Sequence, residues 1–209
     1  MKKLKLSLLA VALMVATVAS AQVSFGIQGG VNLSNMNIEG ISTSSKFGFN
    51  AGLLADFGLT HDMGIRSGLH FTTKGTQWDM GPVGVTFNLM YLQVPVHFAY
   101  KVDVMPGTRI VFHGGPYVAY GVGGNVNFSL LGVSESLDAF GDDGALDRFD
   151  FGLGIGVGAE FGRILVGIGW DMGLLNIIRD NGNGNDDLDI GIGGTARNQN
   201  AFLTVGFRF

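Results

Sequence analysis

Large apolar side chains recur at every second position through most of this chain, and the positions between them are small or polar. Residues 151–161 show the pattern most plainly. Phe151, Leu153, Ile155, Val157, Ala159 and Phe161 alternate with Gly152, Gly154, Gly156, Gly158 and Glu160. A period of two puts each set on one face of a β-strand. A helix would scatter the same glycines around its cylinder at a cost of ~1 kcal/mol each relative to alanine. The alternation resumes over 164–173 after a turn near Gly162–Arg163, so the two segments predict a hairpin. The same signature predicts strands over 23–34, 47–58, 63–74, 87–100, 109–122 and 201–209, about eight in all.

The connections alternate in length as regularly as the strands alternate in polarity. Those near 59–62, 101–108 and 162–163 are short. Those near 35–46, 75–86, 123–148 and 176–199 are long and rich in Gly, Asn, Ser and Asp. Short turns at one end and long polar loops at the other are the pattern of an outer-membrane barrel. The predicted fold is therefore all-β: an eight-stranded, antiparallel, up-and-down transmembrane barrel with short periplasmic turns and long extracellular loops.

Which face is wet follows from the polar parity. Besides glycine it carries Arg66, His70, Lys74, Gln93, His97, His113, Glu160, Asp171 and Arg208. Eight strands enclose a lumen narrow enough for side chains to fill. These nine residues are thus expected to form a polar network inside, with the glycines leaving room for long side chains such as Arg66 and Lys74. The large apolar set would face lipid. Aromatics near strand ends (Phe25, Phe47, Phe57, Tyr91, Tyr100, Tyr120, Phe149, Trp170, Phe207 and Phe209) suit interfacial girdles.

Composition sharpens this picture in three ways. The 209 residues include 35 glycines and only 14% charged residues, with a mean hydropathy of +0.33, too apolar for disorder. A formal charge of −4 without a basic patch argues against nucleic-acid binding. Cysteine is absent, which removes disulfides, thiol nucleophiles and Cys-based metal sites. The first 21 residues read as a cleaved signal peptide: a lysine-bearing "MKKLKLS", a short apolar core "LLAVALMVATV", and "ASA" before Gln22. Residues 22–209 then form a single barrel domain.

The segments "YLQVPVHFAY", "FHGGPYVAYGV", "FDFGLGIGVGAEFG" and "AFLTVGFRF", preceded by "FGIQGGVNLSNM" and "FGFNAGLLADFGL", resemble successive parts of the PorT-like outer-membrane β-barrel family, often labelled porin family. The resemblance spans the whole segment after the signal peptide and implies the same fold and location. That family usually carries Glu where Gln93 stands and another near Gly68, so no role for those acids carries over.

Other motifs match known chemistry only in part. "GIGVGA" (154–159) and "GIGGTA" (191–196) satisfy a dinucleotide pattern, but one lies inside a strand and the other enters one, without the strand-to-helix turn a pyrophosphate needs. "DNGNGNDDLD" (180–189) is rich in oxygen ligands yet lacks the EF-hand order, and is expected to be a solvated loop. Glu135, Asp138, Asp142, Asp143, Asp147 and Asp150 are expected in an acidic surface loop. His97 and His113 should lie opposite each other in the lumen if their turn centres near residue 105. His61 falls in a short turn, and Ser67 faces away from His70, so no nucleophile–base pair forms. No catalytic residue, cofactor or metal is expected, and the chain is not read as an enzyme. Its expected partners are outer-membrane lipid and lipopolysaccharide, the barrel-assembly machinery through the Phe209 strand, and an unknown protein or ligand at the surface loops. The favoured role is a structural or interaction protein acting through those loops. A narrow transport or ligand-binding barrel is the alternative, and a lipid-modifying enzyme the third.

Overall fold

The computed structural model describes residues 22–38, 43–80, 83–130, 133–140, 146–178 and 195–209. The predicted signal peptide, the 180–189 loop, most of the 191–196 motif, and Asp142 and Asp143 lie outside the described residues. Among the described residues nine strands follow in order: β1 (Gln22–Ile38), β2 (Ser44–Gly58), β3 (Met63–Met80), β4 (Val83–Met105), β5 (Thr108–Leu130), β6 (Val133–Asp138), β7 (Phe149–Phe161), β8 (Ile164–Gly173) and β9 (Ala196–Arg208). Eight of them close a ring, β4-β3-β2-β1-β9-β8-β7-β5, sealed by the β4–β5 pairing, and every pair is antiparallel. The ninth, β6, pairs with the far end of β5 outside the ring.

Short connections at one end confirm the predicted asymmetry. Pro106–Gly107 joins β4 to β5 and Gly162–Arg163 joins β7 to β8. Gly107 and Gly162 carry the left-handed backbone such turns demand, at φ 78° and 61°. Along the ring walls, Phe25, Ile27, Leu53, Leu69, Phe98, Phe112, Ile155, Ile168 and Val205 all project outward and are exposed, as a lipid-facing surface requires. Tyr91 does not join the predicted aromatic girdle. It is fully buried inside, edge-on to Phe140 at 5.7 Å.

The strands also run well past the predicted ends. The segment expected as a loop over 75–86 is mostly β3 and β4, which pair from Lys74↔Leu89 out to Met80↔Val83. Polarity inverts along this extension. In β4, outward Leu92, Val96 and Phe98 give way to outward Thr86 and Asn88, while Val85, Phe87, Leu89 and Tyr91 become the buried inward row. In β1, outward Val31 and Leu33 give way to Asn35 and Asn37, opposite buried Met36 and Ile38. A strand in water hides its apolar face; a strand in lipid displays it. On β5 the switch is made by a one-residue bulge. Tyr91 opposes Gly121 and Met90 opposes Gly123, leaving Val122 extra, so even positions such as Val126 turn inward beyond it.

The inverted end is filled by an apolar cluster. Phe87, Leu89, Tyr91, Tyr117 and Val126 from the walls meet Ala139, Phe140, Leu146 and Ile177 from the connecting segments. Those segments are stitched together: Leu146 bridges Ile178, the Asp147 N–H donates to Ile177 O at 2.8 Å, and the Ile177 N–H donates to Ala196 O at 3.0 Å. The result is a cap across the loop end of the ring.

Candidate functional site

Beneath the cap, the inward residues sort into three tiers. Nearest the short turns, Arg66 donates to Asp56 Oδ2 at 2.9 Å and to Glu160 Oε1 at 2.8 Å. Arg208 donates to the same Glu160 oxygen at 2.5 Å, and Lys101 Nζ reaches Asp56 Oδ1 at 2.7 Å. Five strands thus contribute one charge each to a continuous ion-paired layer. Charge-assisted hydrogen bonds of this kind offset the cost of removing these ions from water.

The middle tier is less ionic and holds a cavity of about 80 Å³ lined by His70, Thr72, Gln93, His97, His113 and Asp171, among others. His70 Nε2 faces Gln28 Nε2 at 3.4 Å, and Gln93 Nε2 donates to Asp171 Oδ2 at 2.9 Å. His97 and His113 meet Nδ1 to Nδ1 at 3.0 Å. Their rings are 17° from parallel with centroids 5.2 Å apart. That separation is nearly the Nδ1 gap plus both ring radii, so the rings lie end to end in one plane. The contact is an in-line N–H···N hydrogen bond, not a face-to-face stack. The hairpin centres on residue 106 instead of 105, since Ala99 and not His97 opposes His113. The imidazoles therefore meet on the diagonal.

The upper tier closes the lumen beneath the cap. Lys74 Nζ, 1% exposed, pairs with Asp150 Oδ2 at 3.2 Å and sits 5.2 and 4.7 Å from the ring centroids of Tyr91 and Tyr117. Tyr117 and Asn198 also donate to Asp150, at 3.4 and 3.0 Å. Asp150, expected in a surface loop, is fully buried in β7. Only the wall parity could have shown this, because 150 shares the face of Gly152 and Gly154. Lys101 lies just beyond the predicted strand end at residue 100, and Asp56, on the polar parity of the predicted strand 47–58, finds its partners only through the strand stagger.

The β7 glycines acquire a specific use here. A Cβ on Gly152 would lie 2.6 Å from carbons of the Tyr117 ring. One on Gly154 would lie 2.9 Å from His97 Nε2 and 2.5 Å from Asp171 Oδ1, and one on Gly156 would lie 2.6 Å from His113 Nε2. The row seats three rings from β4 and β5, in place of the Arg66 and Lys74 side chains expected there.

Outside the lumen, His61 Nε2 lies 2.8 Å from Asp103 Oδ2 and 3.8 Å from Asp62 Oδ1, all exposed, His61 and Asp62 on the β2–β3 turn and Asp103 near the end of β4. Ser67 donates to the Pro95 carbonyl at 2.7 Å on the face opposite His70.

The chain matches the family profile described as outer membrane protein beta-barrel domain over residues 18–179. No curated protein matches it. Solved structures similar to it include Ail, the attachment invasion locus protein of Yersinia pestis, in complex with the heparin analogue sucrose octasulfate (17% identity, TM-score 0.44, covering 90% of this chain and 99% of that one). Neisserial surface protein A (12%, 0.46, 90% and 99%) and OprG from Pseudomonas aeruginosa (10%, 0.45, 89% and 95%) are also similar.

Proposed function

We infer the role of this chain from its family: it belongs to the outer membrane protein beta-barrel domain family and is a barrel of the Gram-negative outer membrane. We propose that it acts as a structural or interaction protein through its extracellular surface. Within the family we assign it to the PorT-like barrels on the strength of the ordered segments quoted above. Residues 1–21 serve as its cleaved signal peptide and 22–209 as the barrel domain. Its partners are lipid and lipopolysaccharide around the wall, the assembly machinery at the Phe209 strand, and a protein or ligand at the outer surface.

The observation that carries this reading is the doubly closed lumen. The nine residues assigned to the lumen network, Arg66, His70, Lys74, Gln93, His97, His113, Glu160, Asp171 and Arg208, fill its three tiers. The ion-paired layer spans it near the short turns, and the apolar cap covers it at the other end. Meanwhile β4 and β5, at 23 residues each, far exceed the ~10 residues a tilted strand needs to cross a membrane. The excess length builds a surface beyond the lipid. In planar bilayers the purified protein should insert without ion current; a steady single-channel conductance would reject this role in favour of transport. A screen of binding partners against the whole protein and a version lacking the β5–β6 extension should show partners lost with the extension.

A ligand-binding barrel is the second reading, favoured by the mid-lumen cavity. A lipid-modifying activity ranks third. The opposite facing of Ser67 and His70 speaks against it, and unchanged lipid turnover in His70→Ala would exclude that histidine.

A further inference from the structure

The middle tier contains buried polar atoms that no protein group satisfies, and they converge on the cavity. His97 and Gln93 are each 5% exposed and Thr72 is 4% exposed, yet His97 Nε2, Gln93 Oε1 and Thr72 Oγ1 have no hydrogen-bond partner. Leaving such groups bare costs roughly 1–3 kcal/mol each. Asp171, 3% exposed, has no cation within ion-pair distance among the described residues; Gln93 and Asn200 hold its carboxylate, and the Lys74 charge acts on it from further away. By contrast, every other lumen carboxylate, at 56, 150 and 160, has a cation. Asn50 Nδ2 and Arg66 Nε, on residues that line the same cavity, are also unsatisfied, but as donors they cannot serve as ligands. Around His97 the groups free to bind are thus a bare imidazole nitrogen, a carboxamide oxygen and a carboxylate with no cation in contact.

Their placement favours one class of cation. His97 Nε2 and Asp171 Oδ1 both lie within 3 Å of the point where a Gly154 Cβ would stand, so they crowd the same small volume. The in-line bond from His97 Nδ1 to His113 Nδ1 supplies what a metal-binding imidazole needs on its far side. When His97 donates that Nδ1–H, its Nε2 lone pair is bare, and His113 fixes the ring's orientation. Asp171 is oriented in the same way by the Gln93 amide. Imidazole nitrogen with carboxylate and carboxamide oxygen suits borderline divalent ions such as zinc, cobalt or nickel.

We propose that the mid-lumen cavity is a divalent transition-metal site, with His97 Nε2 and the Asp171 carboxylate as ligands. Gln93 Oε1 is the third protein ligand, and water in the cavity completes the shell. His113 is a positioning residue for His97. The site differs from the exposed group of His61, Asp62 and Asp103 at the short-turn end, whose ligand atoms also lie mutually within 4.8 Å. That group has no buried unsatisfied atom to call for an ion.

Cobalt distinguishes the two by its visible absorption. The protein folded in detergent micelles should bind one Co²⁺ in the lumen with ligand-field bands, and zinc should displace it. Asp171→Asn and His97→Ala should each abolish the bands, while His61→Ala leaves them intact. His113→Ala should weaken Co²⁺ binding by about 10–100-fold, the usual cost of removing an outer-shell partner. Where a lumen variant fails to fold, the wild-type protein still decides the matter. Its proton NMR spectrum with Co²⁺ should show one paramagnetically shifted, exchangeable ring N–H, that of His97. Absence of cobalt bands, absence of that resonance, or loss of the bands in His61→Ala would overturn the proposal.

Discussion

Strand β4 passes through both halves of the barrel and is built differently in each. From Leu92 to Val104 its outward side chains are apolar and its inward row carries the polar Gln93, His97 and Lys101 between Pro95 and Ala99. From Val85 to Tyr91 the inward row is apolar and the outward Thr86 and Asn88 are polar. Strand β4 runs unbroken through both halves, with a one-residue bulge in its β5 partner at the seam, so the reversal is not a change of fold. It records a change of solvent. In lipid, polar groups are expensive on the outside and a filled polar interior is tolerated. In water the hydrophobic effect restores the ordinary arrangement, and a soluble-type core results.

The comparison can be broken most severely at its seam. Lys74→Ala leaves the buried Asp150 carboxylate without its cation and should cost about 3–5 kcal/mol, read by urea unfolding of the protein in lipid vesicles. Replacing Lys74 and Asp150 together by Met and Leu should recover most of that loss. Next in size is a charge on the lipid face. Val96→Arg should destabilise by about 2–4 kcal/mol in the same assay, the cost of a cation near the bilayer midplane. Gly156→Ala would push a Cβ against the His113 ring and should cost about 1–3 kcal/mol as overpacking, with altered His97 and His113 imidazole resonances. The smallest effect should come from Thr86→Arg, which sits on the outward face of the same strand beyond the inversion. It should stay within about 0.5 kcal/mol of wild type. If Thr86→Arg proved as costly as Val96→Arg, the outer half would also lie in lipid, and the reading of two solvents would fail.

The membrane half was legible because period two and apolar exposure coincide there. The hairpin at Gly162, the eight ring strands and the polar parity all follow from that coincidence. Over 75–86 and 123–148 the sequence predicts loops because the alternation there has the opposite sign, with apolar side chains inward. Val85, Phe87 and Leu89 alternate as cleanly as Leu92, Val94 and Val96, but on the other parity. A bulge at Val122 then shifts β5 out of phase with itself, which no single-period test detects. The polar parity follows from the alternation, but the grouping of its residues does not. Which charge meets which depends on strand stagger, and this splits one expected network into an ionic layer, a histidine layer and a lysine–aspartate layer.

The stitched cap carries a consequence for anything that touches the cell from outside. Segments around 146 and 177 lie some thirty residues apart in the chain, yet they share a bridge and a backbone hydrogen bond. An antibody or phage fibre landing there would see a composite epitope, which a linear peptide from either segment cannot imitate. Because Leu146 and Ile177 also share the buried apolar cluster, a change of side-chain volume at one is expected to be matched at the other.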